Sequence, residues 1–394
     1  MKETIGVGCA DISKLEKKYI SQVLKSERLS YGPFIRKFEE EFSKGHETKF
    51  GIAVNSGTDA LRIAISCLKE KEKWNDGDEI ICPAVTFIAS SNVILQNNLN
   101  PVFVDVERDT YNIDPNQISD KITDKTRAIM PVHLFGQPAD MQPIVDISKN
   151  RELKIMEDSC ETMFAKYHEK SVGSFGEIGC FSTYVAHLIV TGVGGLAITN
   201  NLEYAEIMRS LANHGRDGIY ISIDDDNQVT QEIVEKRFKF IREGFSSRIT
   251  ELEGALGLAQ LERKDEILKK RKRNARELIS KLSLYENYIQ LPVEKSDRDH
   301  VYMMFPIVIK DESKIKKRDL VMFLENNNIE TRDMLPLTNQ PIYTKRFGEE
   351  FEDQFPVAKW INNNGFYIGC HQKISSDELE YIIDKFGEFF KKYG

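Results

Sequence analysis

The chain has 394 residues, 41% hydrophobic, 10% aromatic and 29% charged, with 54 Lys and Arg against 62 Asp and Glu for a net charge of −8. This length and apolar share allow two or three packed domains, and the acidic balance argues against a basic nucleic-acid surface. Six Cys without regular spacing exclude a disulfide scaffold and fit a reducing compartment, and no run reaches the roughly 18 apolar residues of a membrane span.

The first residues, MKETIGVGCADISKLEKKYI, carry charges early and lack the apolar core of a signal peptide, so a cytoplasmic protein is expected. A helical stretch is expected over about 11–44. GIAVNSG (51–57) reads as a buried strand, followed by the helix-like TDALRIAISCLKE with Ala60, Leu61, Ala64, Ile65 and Leu68 on one face. DEIICPAV, PVFVDVE, TRAIMPVHLFG, LKIMEDSC, GCFSTY and GGLAITN are further strand-like runs, most of them apolar throughout. Such runs suit strands covered on both faces of a parallel sheet, so 1–250 is expected to be an α/β domain.

Residues 215–236 are polar and acidic and read as a loop between domains. TELEGALGLAQLERKDEILKKRKRNARELISKL reads as one long helix with a Leu/Ala stripe and a charged outer face. HVYMMFPIVIK and a last helix opening at Ser375 and Glu378, with capping-box spacing, complete a smaller α+β domain over 251–394.

Three groups on this frame carry chemistry. Asn55-Ser56-Gly57-Thr58-Asp59 joins a strand to a helix whose free N–H groups suit a phosphate; the alternative is a plain turn with Ser56 or Thr58 as N-cap. Asp158, in MEDSCE at the end of a parallel strand, is placed to hold a proton on a heterocyclic nitrogen, or else to cap the next turn. Ser182 and His187 lie five residues apart before a glycine turn at 191–195, with His187 a general base or a packed histidine.

Taken in order, NSGTDAL, PAVTFIASSNVI, EDSCE, the 182–195 segment and ELEGALGLAQLER resemble the DegT-type sugar aminotransferases. These are pyridoxal-phosphate enzymes of the aspartate aminotransferase fold (fold type I). The resemblance implies that Gly57, Thr58 and Ser182, with Ser56 beside them, hold the cofactor phosphate. It implies that Phe87 stacks on the ring, Asp158 pairs with the ring nitrogen, and Glu161 stands where Gln is usual. The family forms homodimers with a shared active site, and the usual partner Asn of a Gly-Tyr-Asn-x-Arg stretch is here Ser246, in GFSSR. Val193 replaces a usual Glu.

At position 187 an aminotransferase of this family has the lysine that binds the cofactor covalently, and histidine has no primary amine. Lys166, Lys170, Lys236 and Lys239 are near in sequence but off that strand end. The resemblance then turns to the sugar 3-dehydratase branch, which has His there and binds pyridoxal or pyridoxamine phosphate noncovalently. Residues 215–217, 236–238 and Ile329-Glu330-Thr331-Arg332 also resemble that branch. One form of the branch carries an iron–sulfur cluster. Of its four ligand positions only Cys160 is cysteine, the others being Gly218, Tyr220 and Gln228, so no cluster is expected. Cys9, Cys67, Cys82, Cys180 and Cys370 read as small core residues.

The implied activity is removal of the C3 hydroxyl from a nucleotide-linked 4-keto-6-deoxy sugar, with His187 as base and glutamate as amine donor. Arg248, Arg332 and His214 are the candidate substrate contacts; His214 and His371 also suit packing roles. An aminotransferase, natural or with an engineered Lys→His change, and a catalytically idle ligand-binding member remain alternatives. No metal, nucleic-acid or membrane partner is expected.

Overall fold

Strands β1 (Phe50–Val54), β2 (Glu79–Pro83), β3 (Asn100–Val104), β4 (Thr126–Ile129) and β5 (Lys154–Asp158) all come from the runs expected to be buried strands. They belong to a computed structural model that describes residues 4–217, 231 and 238–394. A short hairpin, β6 (Lys166–Tyr167) and β7 (Lys170–Ser171), precedes β8 (Ile178–Ser182) and β9 (Gly195–Thr199). The seven-stranded order is β1-β9-β8-β5-β4-β2-β3. From β8 to β3 every pairing is parallel, with Asp158 opposite Cys180. β9 runs antiparallel to both β8 and β1, so β1 and β8 point the same way. The carboxyl ends of β1, β2, β4, β5 and β8 therefore share one edge, where α/β sheets place ligands.

Helices α1 (Lys14–Ser26), α2 (Pro33–Gly45), α3 (Gly57–Lys71), α4 (Ile88–Gln96), α5 (Met141–Arg151) and α6 (Leu202–Ala212) accompany this sheet. The expected stripe of α3 is buried, with Ile63 and Cys67 beside it. The opening stretch divides in two because Glu27 adopts a left-handed φ of 56° and Pro33 starts the next helix, where its missing N–H costs nothing. The helix expected after Thr250 also divides, into α7 (Glu251–Glu262) and α8 (Lys264–Leu282). The break residue Arg263 leaves helical geometry at φ −105°, ψ 3°, and bonds Asp11 and Glu16 of the N-terminal segment. α7 packs on α1 and α2, and its Leu258 and Leu261 join the large-sheet core.

The second sheet is antiparallel, in the order β10 (Ile289–Gln290), β11 (Phe305–Ile309), β13 (Gly365–Ile368), β12 (Thr331–Asp333). α8, α9 (Lys317–Asn326) and α12 (Ser376–Tyr393) bury their apolar faces on it, forming a second core through Leu278, Leu320, Leu324, Ile382 and Phe386. Ser375 and Glu378 make the expected capping box of α12. Between them α10 (Pro341–Phe347) and α11 (Pro356–Asn364) lie against the large domain. There Asp105, just past β3, accepts the Val357 and Ala358 N–H groups at 2.9 Å and so caps α11. The architecture is thus the expected α/β domain with a smaller α+β domain. No helix among the described residues is long and apolar enough to cross a membrane.

Candidate active site

The strand ends bring the three expected groups together. Ser56 caps α3, its Oγ accepting the Asp59 N–H at 3.1 Å, as the turn alternative had it. The Gly57 and Thr58 N–H groups fall in the first turn, where the helix supplies no carbonyl and its dipole is positive. A Cβ on Gly57 would stand 2.6 Å from Ser182 Cβ and 2.9 Å from Cys160 Sγ. Only glycine lets the helix start sit this close to Ser182, the buried last residue of β8. The start of α3 and Ser182 thus lie side by side.

Asp158 ends β5 almost wholly buried. Its Oδ2 accepts the Ser90 hydroxyl at 2.7 Å and its Oδ1 the Cys160 N–H at 3.1 Å. Ser90 in turn shares a 2.7 Å bond with Thr86, on the turn that carries Phe87. Phe87, just before α4, is 59% exposed, and its ring offers an apolar face to a planar partner.

Glu161 follows in the next turn. Its Oε2 accepts the Phe135 N–H at 3.0 Å, and burial, with repulsion from Asp158, pushes its carboxyl up to about 7. Tyr367 of β13 is pushed up by burial and by the charge of Glu161, which places the small domain against this side of the site.

Residues 183–194 form a self-bonded loop. Thr183 and Thr191 exchange a hydroxyl bond at 2.6 Å, the Thr183 N–H donates to the Gly194 carbonyl, and the Val185 N–H to that of Gly192. Gly194 sits at φ 152°, and a side chain there would run into the two threonine hydroxyls. His187 stands at the loop's turn, its Nδ1 3.1 Å from the Ser182 carbonyl. Partial burial pushes its imidazole down to about 4; the Ser182 and Cys160 carbonyls oppose that drop and the charge of Arg271 adds to it. The ring is therefore neutral at pH 7.

No lysine takes this place among the described residues. Lys166 pairs with Glu47 at 2.8 Å, Lys170 lies over the Phe175 ring, and Lys239 pairs with Asp217 at 3.0 Å. Lys236, Gly218, Tyr220 and Gln228 lie outside the described residues, as does most of the 215–236 segment.

The remaining candidates are exposed within one chain. Ser246 is exposed and lies antiparallel to Asn213; Arg248 and His214 face each other at 3.3 Å on the surface. Arg332 pairs with Glu330, which also accepts the Val7 N–H at 2.8 Å. Cys67, Cys82, Cys180 and Cys370 are buried, as expected, and Cys9 is partly so. Ser90, Tyr367 and Arg271 escaped the sequence reading. Ser90 lay inside the quoted PAVTFIASSNVI run, but its bond to a residue 68 positions away has no local signal.

A buried carboxylate at a strand end, an exposed aromatic face and a helix N-terminus fit a planar, phosphorylated heterocycle such as pyridoxal phosphate. The family model for DegT/DnrJ/EryC1/StrS aminotransferases matches residues 10–387. The chain belongs to this family.

Among members of the DegT/DnrJ/EryC1/StrS family, it is 32% identical to GDP-perosamine synthase of Escherichia coli O157:H7, over 95% of either chain. It is 31% identical to GDP-4-keto-6-deoxy-D-mannose 3-dehydratase of Escherichia coli O55:H7, over 93% of this chain and 95% of that one. The structure of the E. coli 3-dehydratase with bound hydrated PLP superposes with a TM-score of 0.89 at 28% identity, covering 98% of this chain and all of the other. The expected aspartate aminotransferase-type fold is thereby established.

Proposed function

We propose that the protein is a pyridoxal/pyridoxamine-phosphate-dependent lyase, a 3-dehydratase of nucleotide-linked 4-keto-6-deoxy sugars, working as a homodimer. One observation carries the reading: an imidazole, kept neutral by its surroundings, stands at the loop turn where family aminotransferases carry lysine. The kinship with a 3-dehydratase supports it, and equal kinship with GDP-perosamine synthase keeps transamination as the second reading.

When bound, the cofactor supplies an electron-accepting ring that stabilises negative charge at the reacting carbon. Gly57 and Thr58 N–H groups and the Ser182 hydroxyl hold its phosphate noncovalently. Phe87 would lie on its ring, and Asp158, fixed by Ser90, would keep a proton on the ring nitrogen. His187 donates from Nδ1 to the Ser182 carbonyl, which leaves Nε2 as the base. Nε2 takes a proton at the reacting carbon and returns it to the departing C3 hydroxyl. Glutamate supplies the reducing equivalents: it leaves as 2-oxoglutarate and ammonia while C3 exchanges hydroxyl for hydrogen. Ser246 of each subunit serves the other's cradle, and Arg248, His214 and Arg332 serve the substrate.

The test is incubation with pyridoxal phosphate, glutamate and a panel of nucleotide-linked 4-keto-6-deoxy sugars. Ammonia with a 3-deoxy sugar is the expected outcome; a stable amino sugar identifies an aminotransferase. Tight sugar binding with neither product identifies an idle member. Borohydride reduction is expected to leave every lysine unlabelled by the cofactor.

A further inference from the structure

Arg271 is a wholly buried arginine whose partners, among the described residues, include no carboxylate. From the middle of α8 its Nε donates to Gln372 Oε1 at 3.1 Å, and one terminal nitrogen to the carbonyls of Met303 at 2.8 Å and Tyr302 at 3.4 Å. The other terminal nitrogen crosses to the large domain and donates to the His187 carbonyl at 3.1 Å. A buried cation held only by neutral oxygens is costly, and a neutral residue with the same reach would bind those carbonyls more cheaply. The positive charge itself therefore calls for a role.

We infer that Arg271 is a positioning residue for His187: it fixes the backbone at the loop turn and sets a permanent positive charge behind the imidazole, keeping the ring neutral and open to accept a proton. This rests on reading His187 as the base. The groups facing the imidazole are the Ser182 and Cys160 carbonyls, which favour its protonated form, and Arg271, which opposes it along with burial. The Tyr184 ring stands edge-on at 6.1 Å and adds no charge. Arg271 itself faces the Cys9 and Cys370 thiols, Asp11, whose carboxylate is bound to Arg263, and His371, whose ring it also disfavours from protonation. Asp11 opposes this charge only in part, being shared with Arg263, and the field of Arg271 still reaches the imidazole.

The test reads the His187 titration by NMR in the full chain labelled with carbon-13 at histidine Cε1, with and without pyridoxal phosphate, the signal identified by its loss in His187→Asn. In the wild type it is expected to stay flat between about pH 9 and 5. Arg271→Gln and Arg271→Met are expected to raise the His187 pKa, so that its signal moves at the acid end of that window where the wild type's does not. Arg271→Lys keeps the charge and is expected to stay flat, a pattern that loss of packing would not produce. A flat signal in a folded neutral variant overturns the inference. So does a Lys variant that titrates like the neutral ones, or a wild type already titrating near about 6.5. The last two decide even where the neutral variants fail to fold. The readout needs no turnover, so a chain that behaves this way yet releases no ammonia from any sugar loses the dehydratase reading and keeps the Arg271–His187 coupling.

Discussion

His133 and His187 both follow strands that end on the ligand edge of the large sheet, and they have opposite fates. His133 is saturated by the chain: its Nδ1 accepts the Ala139 N–H at 3.0 Å and its Nε2 donates to Glu157 at 3.1 Å. Glu157 in turn accepts the N–H groups of Gly173, Phe175 and Gly176, so the pair knits a turn under the sheet. His46 is closed off likewise, between the Phe42 carbonyl and the Phe164 N–H. His187 instead spends one nitrogen on the Ser182 carbonyl and sits in a loop that holds its own shape. His46 and His133, with both nitrogens bonded, are wholly buried, whereas His187 is only partly covered and has one nitrogen bonded to the chain.

Substitution at the two sites should break this contrast in opposite ways. The largest effect is expected at the chemical one: His187→Asn should lower turnover by about 10²–10⁴-fold, with the melting temperature and pyridoxal phosphate affinity little changed, checked by kinetics beside calorimetry. At the structural one, Glu157→Gln should cost about 2–3 kcal/mol, because three backbone N–H groups and His133 lose a charged acceptor. Denaturant unfolding measures it, and turnover of the folded fraction should be unchanged. Ser90→Ala sharpens the comparison further, since it frees one oxygen of Asp158 without touching a histidine. A loss of about 1 kcal/mol, read as roughly fivefold in turnover, is expected, with a cofactor absorption band that shifts with pH where the wild type's does not.

The smallest effect concerns Glu161. Its carboxyl is raised from 4.5 to about 7 in the folded chain, so the folded state binds more protons than the unfolded one between those values. Stability from this group is full below about pH 4.5 and declines as pH rises toward 7. Glu161→Gln should remove that decline, visible as a difference of about one or two degrees in melting temperature between acid and neutral pH.

The frame was legible where the pattern was local. Apolar runs announced buried strands, the Ser375–Glu378 spacing announced a cap, and a glycine before Thr58 announced a close approach. The helix break at Arg263 was not, because the apolar stripe continues across it and the break is set by Asp11 and Glu16, some 250 residues away. Arg271 falls within the charged run KKRKRNAR, whose pattern suggests an outer face, yet it is buried, because its partners are an amide and carbonyls from distant segments. Ser90 and Tyr367 were hidden for the same reason. Residue type marks chemistry along the chain, but the company each group keeps is a property of the fold.

The loop around His187 has a consequence for history as much as for chemistry. Its cross-links are backbone bonds and the Thr183–Thr191 hydroxyl pair, and even the tether from Arg271 grips a carbonyl. Of all these, the side chain at 187 supplies only the bond to Ser182. The position is therefore a socket, in which one codon can be exchanged while its mounting stays intact. A side chain mounted this way can be exchanged without unmaking the loop that carries it.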